Sequence, residues 1–465
     1  MNSTPRAFNW EESIDLLPAI VAKPRNVEEI IRIINDQETY PSPIRASGSR
    51  HSTTKCTVTD GGTLMDMRNM NRIIEIKENL VTVEAGCLFV DVAQELKRYN
   101  LQFYVNVEIG NISMGSAATC GTKDASFAGE YGQMASYVES LKMVNGKGEV
   151  IEITKDEKEL MQVVRSSYGL MGVVYEITFR VKSIKPLKVW HKSYSLEEFV
   201  LAHPDLCNAR ESLMFYLFPF SNKIVIEFRE YSNKSFVFGR NSHVWRLRNF
   251  VWKKLAPGWG YVMTRFVPFI KLRYKLIDCL NKVIAFLLVK LIRSSKTVAA
   301  DQIIRYPEKK NISKYTFSIW AFPQEDYPET LRAYFRFCKD FYNETGYRTN
   351  VLNVGYKIDF DQSPLFSYSY NGSVMTADPV DTGDKLWDEF LIAYNKFCDE
   401  HNGIPMFNQS KHLTRDQVWK ALGDRINTFW KYREKFDPNE RLLNNYFRHL
   451  FKPDSNEKKE STEEK

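Results

Sequence analysis

The chain has 465 residues, 64 Lys and Arg against 57 Asp and Glu (formal net charge +7), 43% hydrophobic and 14% aromatic residues. That length supports two domains with their own cores, and so many aromatics suit large apolar pockets or interfaces. Seven cysteines stand far apart with no CxxC or other metal-ligand spacing, which excludes a zinc site, and no metal is expected.

Residues 20–34 read as a short strand, a stop at Pro24, and an amphipathic helix opening at Asn26 with Glu28 and Glu29 at its positive end. After a second strand comes Arg45-Ala46-Ser47-Gly48-Ser49-Arg50-His51-Ser52, a loop of small residues around one histidine. Such a loop lets backbone N–H groups close on a phosphate and leaves an imidazole nitrogen free as a nucleophile or ligand. Residues 62–67 and 80–86 alternate as strands do. A second small-residue run, 110–123, follows. Two such runs in one α+β segment point to a ligand with a long polar spine, such as a dinucleotide.

Strands are expected at 212–217, 223–228, 315–320 and 365–370, the last placing Tyr368 and Tyr370 on one face, where they line the pocket. Helices are expected over 329–345 and 384–401. Between the second and third of these strands, Arg240 to Lys296 holds thirteen Lys and Arg and one acidic residue, Asp278, interleaved with Trp and Phe. Its densest apolar run is too short to span a bilayer, which needs roughly 20 apolar residues. Basic residues with aromatics on amphipathic helices suit an anionic lipid surface. The plainer reading is a helical excursion packed on the protein, and no nucleic-acid motif accompanies the charge. The charged residues 454–465 are expected to be a disordered tail.

The segment from Ile20 to about Lys182 resembles the FAD-binding domain of flavoproteins of the vanillyl-alcohol oxidase (PCMH) type, in the branch of alditol and sugar-lactone oxidases. The resemblance implies an α+β fold: a two-lobed FAD-binding domain at 1–185, a substrate domain with an antiparallel sheet and helices at 186–415, and a return to the first domain at 416–453. It implies that the backbone of Ser47, Gly48, Ser49, Arg50, His51 and Ser52 carries the FAD pyrophosphate, with His51 bonded covalently to the flavin. A second phosphate loop corresponds to 114–123, bringing Ser113, Gly115, Ala118, Thr119, Thr122 and Lys123 to the cofactor. Here Met114 stands for a glycine and Lys123 for a histidine, which adds a cation. Residues 166–177 resemble the segment bordering the ADP half, implying Gly172 and Val173. Residues 430–446 resemble the family ending, implying Asn445. Phe407 to Thr414 stands where sugar oxidases carry a lysine, as do decaprenylphosphoryl-ribose oxidases. Lys411 is therefore expected to face flavin and substrate, either binding a substrate oxygen or acting as base. Tyr368 and Tyr370 complete the expected catalytic set, and His412 is a weaker base candidate.

The function expected is oxidation of a hydroxyl of a sugar, sugar lactone, alditol or lipid-linked sugar, with oxygen or a quinone as acceptor. The alternatives are an FAD-dependent reductase of a lipid C=C bond and a non-catalytic membrane-surface flavoprotein. Residues 1–6 lack a secretion signal pattern and the odd cysteine count fits free thiols, so a cytoplasmic location is expected, peripheral on a membrane if 240–296 touches lipid.

Overall fold

The computed structural model of the chain describes residues 6–232, 243–292, 297–298, 300, 302–306 and 314–453. The expected tail at 454–465 lies outside the described residues, as do 240–242 and 293–296 of the basic segment.

Strands Ile20–Ala22, Ile44–Ser47 and Thr63–Asp66 form a parallel sheet with Thr63–Asp66 in the middle. Helix Val27–Asn35 lays Ile30, Ile33 and Ile34 against Ile44 and Met65, as its 3.6-residue period demands. Asn26 caps it, its side chain accepting from the Glu29 N–H. Next to this lies an antiparallel sheet in the order Ile73–Lys77, Leu80–Glu84, Gly172–Ser183, Val138–Asn145, Val150–Thr154, with Leu101–Phe103 also on Gly172–Ser183. The chain end returns here. Arg441 donates to the carbonyls of Ile33 and Ile34, and Asn444 donates to those of Lys55, Cys56 and Val58.

The intervening chain builds an eight-stranded antiparallel sheet in the order Thr297–Val298, Pro186–Ser195, Lys223–Tyr231, Ser212–Phe218, Asn353–Ile358, Val374–Thr376, Trp320–Pro323, Ile404–Pro405. Period-two alternation splits its faces. Leu213, Phe215 and Leu217 join the core under helices Leu196–Cys207, Tyr327–Thr345 and Trp387–Glu400. Met214, Tyr216 and Phe218 pack with the basic segment on the other side.

That segment folds as helix His243–Phe250, a π-turn Val251–Leu255, and helices Ala256–Phe266 and Ile270–Leu291. Trp245, Ala256, Ile284 and Leu288 are buried on the sheet, so the plainer reading accounts for one face. The other face keeps Phe266, Phe269 and Phe286 exposed, at 73, 72 and 60%. Among the described residues no helix is long and apolar enough to cross a membrane.

The strand expected at 365–370 is instead a series of turns. Side chains take the backbone donors there: Asp361 accepts from the Ser363 N–H, and Ser367 Oγ from the Ser369 N–H. Tyr368 and Tyr370 consequently share no strand face. The strand expected over 315–320 is divided into Thr316–Phe317 and the start of Trp320–Pro323.

Candidate active site

Strand Ile44–Ser47 runs out of the parallel sheet straight into the first small-residue loop. Two anchors fix it: the Trp10 N–H donates to the Arg50 carbonyl at 2.7 Å, and the Thr53 N–H to the Asn408 carbonyl at 2.9 Å. Arg50 is held at φ 60°, a conformation costly for a residue with a Cβ. The Arg45 guanidinium, buried beneath the loop, donates to the carbonyls of Cys56, Leu442 and Tyr168. The second loop, 113–123, meets the first. Gly48 has no room for a Cβ, because Ser113 fills the space, and Gly115 sits against Ala85 with its N–H on the Ala85 carbonyl at 2.8 Å. Tyr168 accepts from the Gly121 N–H at 3.2 Å.

The two loops open on a cavity that extends to the eight-stranded sheet and to Trp252 and Pro257 of the basic segment. Ser47, Gly48, Ser49, Arg50, His51, Ser52, Ser113, Gly115, Thr119, Thr122, Lys123 and Gly172 all line it. Ala118, Val173 and Asn445 do not. Ala118 is fully buried in the core, Val173 packs behind the loop with Val144 and Ile34, and the Asn445 N–H is bound by Asp60.

His51 lies 5.0 Å, centroid to centroid, from Trp10, and its Nε2 is buried without a hydrogen-bond partner. Burial, with Lys314 nearby, depresses its pKa to about 4, so the imidazole is neutral. Ser47 Oγ is likewise buried and unpartnered. A glycine pair that lets backbone approach, unsatisfied polar atoms, a neutral imidazole and a long cavity fit a dinucleotide cofactor.

Beyond the loops the cavity is walled by Tyr216, Trp252, Tyr306, Tyr315, Phe317 and Tyr356, and set with buried charge. Lys123 Nζ lies 2.9 Å from Asp378 Oδ2 and 3.4 Å from the centre of the Tyr356 ring. Lys123 is thus half of a buried ion pair. Burial pushes the Asp378 carboxyl up to about 6 against the pull of Lys123. Arg229 binds Asp124 through both carboxylate oxygens and Glu227 at 2.6 Å. Arg248 joins Glu108 at 2.8 Å, and Glu227 also receives His191 and Tyr216. Burial alone would raise the Glu227 pKa, but Arg248 and Arg229 hold it well below the ordinary carboxylate range. Asn408 and Gln409 line the cavity, each with an amide oxygen that has no partner among the described residues.

The expected catalytic set does not gather here. Lys411 is outside the cavity, its Nζ 2.6 Å from Asp388 Oδ1, and His412 reaches the same carboxylate at 3.0 Å. The turn Met406–Ser410, closed by the Ser410 N–H on the Met406 carbonyl, faces Asn408 and Gln409 inward and sends Lys411 out. Tyr368 is buried in the core, and Tyr370 stacks under Arg425. Sequence reasoning missed Asp378, Glu108, Asp124 and the Arg229 cluster. Glu227 and Arg229, two apart in the buried stretch of their strand, did carry a signal: they share one face.

Among the described residues there is no group of His, Cys, Asp and Glu able to hold a metal. Residues 18–154 match the FAD binding domain family. The chain is 22% identical to the L-gulonolactone oxidase of Mus musculus, over 95% of this chain and 97% of that one. It is 27% identical to the D-arabinono-1,4-lactone oxidase of Kluyveromyces lactis, over 47% of this chain and 42% of that one. The fold superposes on cholesterol oxidase from Brevibacterium sterolicum with a TM-score of 0.76 at 14% identity, covering 96% of each chain. The chain is an FAD-binding oxidoreductase with a PCMH-type α+β fold, homologous to sugar-lactone oxidases.

Proposed function

We propose that the chain oxidises a hydroxyl of a sugar, sugar lactone or alditol, free or lipid-linked, and passes the electrons to oxygen or a quinone. The observation that supports this best is the single cavity joining the loops at 47–52 and 113–123 to a polar, aromatic-walled chamber. The residues that hold FAD in this reading are Ser47 to Ser52, Ser113, Gly115, Thr119, Thr122 and Gly172. When bound, FAD supplies the two-electron acceptor for the substrate carbon. The protein's part is position and electrostatics. The aromatic walls exclude water, and the free amide oxygens of Asn408 and Gln409 accept from substrate hydroxyls. In the same reading residues 1–185 with 416–453 form the cofactor domain and 186–415 the substrate domain.

His51 is the attachment point for a covalent flavin. Its neutral, unpartnered Nε2 supports this, because an imidazole must be unprotonated to form a bond. Peripheral membrane contact is made through the outer face of residues 243–291, where exposed Phe266, Phe269 and Phe286 stand among Arg265, Lys271, Arg273 and Lys290. The deciding experiment is a spectrum of purified protein before and after acid precipitation, followed by anaerobic titration with L-gulono-1,4-lactone, D-arabinono-1,4-lactone and xylitol. Yellow colour retained in the pellet, lost in His51→Ala, and bleached by one of these polyols is the expected result. Bleaching by NADPH but by none of them would overturn the oxidase reading.

A further inference from the structure

On the flavoenzyme reading above, we propose that Asp378, held by Lys123, is the catalytic group that takes the proton from the substrate hydroxyl. Three carboxylates line the cavity: Glu108, Asp124 and Asp378. The first two are engaged by Arg248 and Arg229. Asp378 has Oδ2 on Lys123 and the Thr376 hydroxyl close enough to favour its charged form, while Oδ1 is buried and makes no hydrogen bond among the described residues. A buried carboxylate with an empty acceptor position is costly unless something fills it. A substrate hydroxyl in the cavity does so.

The pair is fixed in place. Asp378 exchanges both backbone hydrogen bonds with Val354, at 2.7 and 3.0 Å, beside the strand that carries Tyr356. Lys123 rests on that tyrosine's ring. The titratable groups packed around Asp378 are Lys123, Tyr356, Tyr327, Tyr368, Tyr394 and Cys398. Burial pushes the tyrosine and cysteine pKa values up, so these groups stay neutral, and among the described residues Lys123 is the cation acting on the carboxylate. In the step itself the substrate O–H bond breaks towards Asp378 Oδ1. FAD, when bound, would supply the acceptor for the carbinol C–H electron pair, so that a carbonyl would form. The Lys123 ammonium offsets negative charge on the substrate oxygen as the proton departs.

The test uses the FAD-loaded protein and two readouts. Anaerobic stopped-flow reduction by whichever of L-gulono-1,4-lactone, D-arabinono-1,4-lactone or xylitol reduces the wild type should slow about 100-fold or more in Asp378→Asn, within the range for loss of a general base. FAD content and the Kd of that polyol should be unchanged, and Asp378→Glu should recover part of the rate. Without any substrate, infrared titration should show a carboxylic-acid carbonyl band that grows as pH falls through about 6. The band should be absent in Asp378→Asn and shifted to higher pH in Lys123→Met, which removes the cation that favours the carboxylate. If Asp378→Asn fails to fold because Lys123 is left unpaired, the charge-neutral double variant Lys123→Met/Asp378→Asn carries the same expectations. Reduction within threefold of wild type in either variant overturns the proposal, as does absence of the band. If none of the polyols reduces the wild type, the oxidase reading fails separately, and the infrared titration still decides on Asp378.

Discussion

Gly48 and Ser113 occupy the same point between the two glycine-rich loops: a Cβ on Gly48 would stand 2.5 Å from the Ser113 Cβ and closer still to its Oγ. Rotating the serine side chain does not move its Cβ, so a larger residue must separate the loops. Gly48→Ala is expected to destabilise by about 1–3 kcal/mol, in the manner of an overpacked core, and to lose FAD. Flavin absorbance per polypeptide, read beside a thermal melt, checks this. Stoichiometric FAD in Gly48→Ala would show that the loops do not need to touch.

Lys411 tests where the chemistry sits. Its ammonium is bound to Asp388, whose side chain is 52% exposed, and neither residue lines the cavity. Half-exposed ion pairs contribute about 1 kcal/mol or less. Lys411→Ala is therefore expected to leave FAD content unchanged and the rate of flavin reduction within about threefold of wild type. A loss of 100-fold would return Lys411 to the reaction centre.

The two loops that line the cavity were legible because their chemistry is local: glycine and serine at set spacing after a strand, with His51 in the first. Twelve of the fifteen residues expected at the cofactor line the cavity. Ala118 and Val173 sit beside lining residues but pack into the core, a distinction that side-chain direction makes and a motif does not, while Asn445 is exposed at the start of the last helix, away from the cavity lining. The substrate side was illegible for a different reason. Asp378 lies two residues past the strand Val374–Thr376 and Lys123 in a loop 255 positions earlier, so no spacing announces the pair. Lys411 was misplaced by one turn of chain: Met406–Ser410 closes on itself and exchanges which residue points inward. Tyr368 and Tyr370 were read as a strand from alternation alone, while Asp361 and Ser367 had already claimed the backbone donors a strand needs.

The carboxylate beneath the cavity wall, Glu227, should be structural. Glu227 is fully buried between Arg229, Arg248, His191 and Tyr216. Removing its charge leaves two buried guanidinium groups undercompensated, a loss that typically costs about 3–5 kcal/mol. Glu227→Gln is expected to lower the denaturation midpoint strongly in both FAD-loaded and FAD-depleted protein. A melt shifted only in the loaded form would place Glu227 in cofactor binding instead.

Gln409 is the side chain best placed to select the substrate. Its carbonyl oxygen accepts from Thr53 Oγ at 2.9 Å, and the neighbouring Asn408 carbonyl accepts from the Thr53 N–H. The turn is thereby locked to the His51 loop, so the Gln409 side chain is presented to the cavity from a fixed backbone. Its Oε1 has no protein partner, whereas Asn408 already spends its Nδ2 on the Gly121 carbonyl. A free amide oxygen at this point can accept from one substrate hydroxyl, worth about 0.5–1.5 kcal/mol, or up to roughly tenfold in kcat/KM. Gln409→Ala should show that loss chiefly as a higher KM, with FAD content and melting unchanged, since the Thr53 anchors are backbone bonds that alanine keeps. Among a series of deoxy polyols, the analogue lacking the hydroxyl that meets Gln409 should be the one that Gln409→Ala no longer discriminates against. Unchanged kcat/KM across that series would remove Gln409 from substrate recognition.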